Sequence, residues 1–154
     1  MSVIDGQLQA LGIVLPVPAK PLASYLPWRN CGNLVFISGQ LPLIDGKPLW
    51  PGTVPSNVSI ESAMEAARQC AIHIIAHLRD ACRGDLDRVA GIVKLTGFVA
   101  STAQFADHPR IINGASDLML AVFGDQGRHA RAAVGVASLP MGSSVEIEAI
   151  AELK

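Results

Sequence analysis

The sequence has few charged residues and few aromatic ones. Only 16% of its 154 residues are charged and 5% are aromatic, whereas half are apolar. An average soluble domain has roughly 25% charged residues. The net charge is −1 and the basic residues are scattered, so the concentrated positive patch that binds a phosphate backbone is missing. These shortages disfavour nucleic acid as the main ligand and predict that other subunits cover apolar surface.

Cysteine is scarce, and long hydrophobic runs are missing. Cys31, Cys70 and Cys82 form no Cys-x-x-Cys pair, which disfavours a disulfide framework or a thiolate zinc site. The charge-free stretches contain Gly and Pro and stay below the roughly 18 apolar residues of a membrane helix. Asp5 comes early and no basic flank precedes an apolar run, unlike a secretory signal. We therefore expect a cytoplasmic protein without a membrane span.

Length and periodicity predict one domain over residues 1–154, with residues 1–21 as an amino-terminal extension. Apolar residues recur at helical spacing after Ser59 and again after Asp107, and these two stretches end at glycines. Segments rich in Val, Ile and Phe predict strands around the helices, with an irregular Pro-rich loop over 40–58. The order β-β-α-β-α-β-β is typical of an α+β sandwich with helices on one face of the sheet.

Most recognisable catalytic motifs are missing. The chain has no nucleophile elbow, phosphate-binding glycine loop or dinucleotide fingerprint. His73 and His77 are four residues apart on the first long helix, a spacing that suits a metal, but no third ligand accompanies them. His108 and His129 stand alone. We therefore expect no metal site.

The carboxyl-terminal segment contains an arginine at the head of an apolar strand. Arg131 begins the run R-A-A-V, and a Pro/Gly turn at 140–142 precedes V-E-I-E-A-I-A. An arginine keeps its charge, so in a half-buried strand it needs a carboxylate from the protein or from a ligand. An ion pair with a glutamate of the next strand and a functional role are equally open; the candidate partners are Glu146, Glu148 and Glu152. A hairpin would place Arg131 nearer residues 149–152 than Glu146.

These segments resemble the reactive intermediate deaminase (RidA, YjgF-like) family of small trimeric proteins. The resemblance spans most of the chain and is carried by Tyr25, by G-N-L-V-F-I-S-G-Q-L-P at 32–42, by V-K-L-T-G-F-V at 93–99, and by A-R-A-A-V and V-E-I-E-A-I-A. It implies a chorismate-mutase-like fold with a mixed sheet and two helices on one face. It also implies a homotrimer with its sites between subunits.

The resemblance further implies roles for individual residues. Arg131 would clamp the carboxylate of the substrate, and Glu146 would hold or activate the attacking water. The other positions that line the family pocket correspond to Tyr25, Ser38, Gly39, Asn113 and Ala133. The reaction is the hydrolysis of enamines or imines such as 2-aminoacrylate to 2-keto acids and ammonia, with no metal or organic cofactor.

Three departures from the family pattern leave other functions open. Ala133 stands where the best-known members have cysteine, and His129 stands where they have proline; the chain is also longer than the short deaminases. It therefore resembles a longer subgroup whose substrate can differ. A trimer that binds small carboxylates without turnover, as a sensor or chaperone-like protein, is the alternative. An endoribonuclease, a name given to some relatives, would need a basic groove that the sequence does not predict.

Overall fold

The computed structural model describes residues 2–18, 20 and 23–154. Its helices and strands are, in chain order, α1 (Val3–Ala10), β1 (Trp28–Cys31), β2 (Leu34–Gln40), β3 (Leu43–Ile44), β4 (Lys47–Pro48), α2 (Ile60–Ala81), β5 (Val89–Ala100), α3 (His108–Phe123), β6 (Ala130–Val136) and β7 (Val145–Leu153). The predicted order of strands and helices is confirmed. The structure adds a helix near the amino terminus and a small hairpin, β3–β4, inside the loop that we expected to be irregular.

Both predicted helices begin after their capping residues, and α3 ends at its glycine, whereas α2 ends at Ala81, before the expected stop at Gly84. Ser59 precedes α2, and its side chain accepts a hydrogen bond from the Ser62 N–H, which satisfies a free donor of the first turn. Pro109 lies in the first turn of α3, where its missing N–H costs nothing. Gly124 ends α3 with a φ of 61°, a conformation that glycine adopts without strain. The apolar stripes of both helices are buried.

The five long strands form one mixed sheet in the order β1-β2-β7-β5-β6. β5 and β6 are parallel and the other neighbouring pairs are antiparallel. α3 connects β5 to β6, as a parallel pair requires. Side chains of α2 and α3 form one core with alternate side chains of the sheet, such as Leu95 and Ile147. The predicted α+β class and the helical layer on one face are confirmed.

The two carboxyl-terminal strands do not pair as a hairpin, so that expectation was wrong. β5 lies between them, and Leu95 is the neighbour of both Arg131 on β6 and Ala149 on β7. The helix α3 follows β5 directly and crosses over one face of the sheet, so β6 returns parallel to β5 instead of pairing with β7.

The amino-terminal extension contains the helix α1, which sequence periodicity did not predict. The Asp87 carboxylate accepts hydrogen bonds from the N–H groups of Val3 (2.8 Å) and Ile4 (3.0 Å), so it caps α1 from a distant part of the chain. An ion pair joins Asp5 to Arg79 of α2. Residue 21, the expected end of the extension, lies outside the described residues. Over the described part of the chain, no helix has the length and apolar character needed to cross a membrane.

Two glycines allow α3 to approach its neighbours closely. A Cβ atom at Gly97 of β5 would overlap the Ile112 side chain, and one at Gly114 of α3 would overlap the backbone carbonyl of Met64 in α2. Without these glycines α3 would lie farther from both the sheet and α2. The close approach brings Asn113, the neighbour of Gly114, to the edge strand β6.

Candidate active site

Arg131 lies at the start of the edge strand β6, on the side of the sheet that the helices cover. Its register neighbour is the buried Leu95, and side chains of neighbouring residues in a sheet share a face. The Arg131 Nη1 donates hydrogen bonds to Asn113 Oδ1 at 2.7 Å and to Ser116 Oγ at 3.2 Å. Asn113 and Ser116 are three residues apart on α3, so they share one helix face. Sheet and helix together hold the guanidinium.

The guanidinium of Arg131 contacts neutral oxygens rather than a carboxylate. None of the ion pairs among residues 2–18, 20 and 23–154 includes Arg131. The expected structural alternative, an ion pair with a glutamate of the next strand, is therefore wrong for Glu146, Glu148 and Glu152. A cavity of about 290 Å³, which we call the Arg131 cavity, lies beside the guanidinium and is also lined by His129 and Leu120. Arg131 can thus pair with an anionic ligand.

Glu146 lies on the opposite face of the sheet. It neighbours Phe98, which is three residues from Leu95 on β5 and therefore points away from the helices. The register of β2 against β7 shifts between Ile37 and Gln40, which is a β-bulge at Ser38 and Gly39. A Cβ atom at Gly39 would overlap the Glu146 carboxylate. Glycine at this position therefore lets Glu146 lie against β2.

The environment of Glu146 favours the protonated carboxyl group. Burial, and then repulsion from the neighbouring Glu148 carboxylate, raise the pKa of Glu146 above its ordinary value. No side-chain hydrogen bond to Glu146 is present among the residues that the structure describes. A carboxylate with a raised pKa is a better match for proton transfer near neutral pH than an ordinary surface glutamate.

Tyr25 and Ser38 line a second cavity of about 680 Å³, on the sheet face that the helices leave uncovered. We call it the open-face cavity; its other lining residues include Phe36, Lys94 and Glu148. Ser38 Oγ donates to the Leu26 carbonyl at 2.6 Å, which ties the segment that carries Tyr25 to β2. The Tyr25 side chain is exposed. It can therefore contact a ligand or a second subunit.

The predicted site residues form two groups in one chain. Arg131, Asn113 and Ala133 lie on the helix side at β6, where Ala133 neighbours Gly97. The second group lies on the uncovered side and comprises Tyr25, Ser38, Gly39 and Glu146. The sheet separates the two groups. Asn113 contacts Arg131 within the same chain.

Sequence reasoning missed two residues of the arginine group, Ser116 and His129. His129 Nε2 lies 2.9 Å from Ser116 Oγ. His108 also has a partner, Ser101 Oγ at 3.0 Å. Spacing along the chain gave no signal for the contact of Ser116 with His129, because it joins a helix to the turn before β6. Among the described residues, no group of three His, Cys, Asp or Glu side chains could hold a metal ion.

Comparison with known proteins gives a consistent family assignment. The sequence profile of the family described as "YjgF/chorismate_mutase-like, putative endoribonuclease" matches residues 5–153. Protein TCP17 of Trypanosoma cruzi is 43% identical over 151 residues, which cover 97% of this chain and 94% of that protein. The chain belongs to the YjgF/RidA-like family.

Solved structures of this family share the fold. Atu1372 of Agrobacterium tumefaciens, a protein described as having unknown function, superimposes with a TM-score of 0.93 and 48% identity over 99% of this chain and 93% of that one. The Escherichia coli protein called "Putative reactive intermediate deaminase TdcF" is 28% identical over 130 residues, 84% of this chain and 87% of that protein. The TdcF structure, with bound serine, has a TM-score of 0.63 at 24% identity and covers 90% of this chain and 94% of its own. The expected chorismate-mutase-like fold is confirmed.

Proposed function

We propose that this YjgF/RidA-like protein hydrolyses small enamine or imine acids, such as 2-aminoacrylate and its imine tautomer, to 2-keto acids and ammonia. The observation that carries the proposal is the environment of Arg131. Its Nη1 is held by Asn113 Oδ1 and Ser116 Oγ, and no glutamate of the described residues pairs with it. A fixed guanidinium of this kind can form two charge-assisted hydrogen bonds with a planar carboxylate.

The proposed reaction needs a carboxylate clamp and a proton acceptor. Arg131 holds the substrate carboxylate and so fixes the adjacent imine carbon. Glu146 takes a proton from water as the oxygen forms a bond to that carbon, and passes the proton to the imine nitrogen, which gives a carbinolamine. Glu146 then takes the proton of the carbinolamine hydroxyl and returns it to the amine as the C–N bond breaks, so that ammonia leaves and the C=O bond of the 2-keto acid is formed. The raised pKa of Glu146 suits this role because the carboxyl group must both take and return a proton.

We further propose a homotrimer in which the two groups of site residues meet across a subunit boundary. Within one chain, the sheet separates Arg131 from Glu146, so one subunit alone cannot place both beside the same substrate. Contact of the β6 edge of one subunit with the uncovered sheet face of the next would bring them together. It would also cover apolar side chains such as Phe36 and Val134, which are 43% and 44% exposed.

The reduced cysteines support a cytoplasmic location as part of the proposal. Cys70 and Cys82 are buried, and none of the three cysteines forms a disulfide. Burial raises the pKa of the Cys70 thiol well above its ordinary value, so it is an inert packing group.

The direct test is ammonia release from 2-aminoacrylate that a second enzyme generates in the assay. Wild-type protein should accelerate the release over buffer, and Arg131→Ala should lose at least about a hundredfold in kcat/KM, since a charge-assisted bidentate contact disappears. Arg131→Lys should recover little, because an ammonium lacks the planar fork of donors. Arg128→Ala is the matched control: Arg128 is another arginine of the same cavity but is exposed and paired with Asp125.

Two outcomes would contradict the proposal. If wild type and Arg131→Ala release ammonia no faster than buffer, this chain is not a deaminase for this substrate. Binding of pyruvate by the same wild-type preparation, lost in Arg131→Ala, would then support the non-catalytic carboxylate-binding trimer. RNA cleavage that survives Arg131→Ala would instead support the endoribonuclease name that the family description carries.

A further inference from the structure

A chain of three hydrogen bonds connects Arg131 to the turn that precedes its strand. Arg131 Nη1 donates to Ser116 Oγ at 3.2 Å, Ser116 Oγ lies 2.9 Å from His129 Nε2, and His129 Nδ1 lies 2.6 Å from the Gly127 carbonyl oxygen. A Cβ atom at Gly127 would overlap the Met119 carbonyl of α3. Glycine therefore lets the turn pack against α3 and hold its carbonyl beside His129.

Donor and acceptor chemistry constrains the hydrogens in this chain. The Gly127 carbonyl can only accept, so His129 Nδ1 carries a proton and donates it. Arginine can only donate, so Ser116 Oγ accepts from Arg131. In the Nδ1–H tautomer, His129 Nε2 accepts the hydroxyl hydrogen of Ser116, and all three bonds are satisfied. The Nε2–H tautomer would leave the Gly127 contact without a hydrogen.

The same contacts use both hydrogens of Arg131 Nη1. One is donated to Asn113 Oδ1 and the other to Ser116 Oγ. Among the residues that the structure describes, Arg131 Nε and Nη2 have no hydrogen-bond acceptor. Nε and Nη2 form one edge of the guanidinium, with two parallel N–H bonds that match the two oxygens of a carboxylate.

We propose that Ser116 and His129 are positioning residues that orient Arg131 so that its Nε/Nη2 edge receives the substrate carboxylate. The inference rests on the proposed function, in which Arg131 binds the substrate carboxylate. It adds Ser116 and His129 as the two residues that orient the guanidinium. His129 fixes the direction of the Ser116 hydroxyl, and Ser116 with Asn113 prevents the guanidinium from rotating. Only planar anions with two coplanar oxygens then gain the full interaction, which gives the clamp its selectivity.

The first test measures ligand binding by titration calorimetry, with pyruvate and its neutral amide as probes. The proteins compared are wild type, Ser116→Ala, Ser116→Thr and His129→Phe. Ser116→Ala and His129→Phe should weaken pyruvate binding on the order of tenfold, because a hydrogen bond to a charged group is lost. Ser116→Thr should restore it, since threonine retains the hydroxyl. Pyruvamide should bind weakly and equally to all four proteins, because binding of a neutral amide does not depend on the orientation of the Arg131 guanidinium. Thermal unfolding and light scattering on each variant check that the fold and the oligomer persist.

The second test is nuclear magnetic resonance of the same proteins without ligand, so it does not depend on the proposed function. The ring nitrogens of His129 should show the neutral Nδ1–H tautomer, which is the minor form of free histidine. The Nη1 and Nη2 signals of Arg131 should be distinct in wild type and in Ser116→Thr. They should exchange faster in Ser116→Ala, because only the hydrogen bond to Asn113 then holds Nη1.

The two tests separate the possible failures. Wild type could bind no pyruvate and still show distinct Nη1 and Nη2 signals of Arg131 that exchange faster in Ser116→Ala. The proposed function would then fail, while the anchoring of Arg131 by Ser116 and His129 would stand. An Nε2–H tautomer of His129 would overturn the inference. So would equal pyruvate affinity and equal rotation of Arg131 in wild type and Ser116→Ala.

Discussion

At the scale of single residues, the proposed chemistry depends on the proton affinity of Glu146. Burial is the main cause of its raised pKa, and the neighbouring Glu148 carboxylate adds to it. A general base works only when deprotonated, so kcat should fall as pH falls through this raised pKa. Glu148→Gln removes the repulsion but not the burial. We therefore expect the acid limb of the kcat profile to move to lower pH without reaching that of an ordinary glutamate.

The control for this prediction is Glu152→Gln, which removes a carboxylate farther along the same strand. Glu152 pairs with Asn33 and does not contribute to the raised pKa of Glu146. Its substitution should leave the acid limb in place. Equal profiles for wild type and Glu148→Gln would mean that Glu146 is not the group that limits the rate at low pH.

A second residue-scale prediction concerns Gly39. The Cβ atom of Gly39→Ala would overlap the Glu146 carboxylate, the mobile end of a side chain, so that carboxylate can move away at little cost in stability. Gly39→Ala should therefore fold with a nearly unchanged Tm and bind pyruvate at Arg131, while its kcat falls at least about tenfold because the base is displaced. Kinetics, calorimetry and thermal unfolding check the three parts. An unchanged kcat would argue against a role for Glu146 in this position.

At the scale of elements, the packing of α3 on α2 depends on Gly114. Here an added Cβ would overlap the Met64 carbonyl, and a backbone atom cannot rotate away. Gly114→Ala should lower the free energy of unfolding by about 1–3 kcal/mol, although alanine favours helices. Gly6→Ala is the matched control: no atom lies within 4 Å of the added Cβ in α1, and it should stabilise by about 0.5–1 kcal/mol. Urea unfolding of both variants measures the difference; equal effects would refute the close-approach argument.

The long elements could be predicted from the sequence because their patterns are local. α2 and α3 carry apolar stripes and capping residues, and β5 is rich in branched apolar residues. α1 was missed because it has only eight residues, of which Ile4 and Leu8 are buried; Ser2 caps it locally, and Asp87 adds two hydrogen bonds from a distant part of the chain. The pairing of β6 could not be predicted from local pattern either. A turn at Pro140 predicts a hairpin, whereas the α3 crossover returns β6 parallel to β5 and places β5 between β6 and β7.

The difference between local sequence patterns and contacts between distant parts of the chain also explains what could be predicted of the candidate site. Arg131 and Glu146 were predicted because their sequence motifs resemble those of a known family, and their charges stand out in apolar strands. Their separation by the sheet follows from the strand order, which the sequence did not indicate. Ser116 and His129 join the arginine group through contacts between a helix and a turn, and such contacts leave no fixed spacing along the chain.

At the scale of the whole molecule, the separation of Arg131 from Glu146 makes a prediction about subunit mixing. In a trimer with shared sites, Arg131 of one subunit and Glu146 of the next serve the same substrate. Arg131→Ala and Glu146→Gln proteins should each be nearly inactive as homotrimers. Hybrids made by unfolding and refolding an equal mixture should recover activity, because random assembly places an intact arginine beside an intact glutamate at about a quarter of the sites.

The matched controls are each variant refolded alone and a mixture of Arg131→Ala with Arg131→Lys, in which no intact arginine exists. Light scattering on the hybrids should give three times the 16.2 kDa subunit mass. Trimers that regain no activity on mixing would mean that each site takes Arg131 and Glu146 from one chain, or does not use both. A monomeric mass would contradict the shared site directly, because the sheet keeps the two residues apart in a single chain.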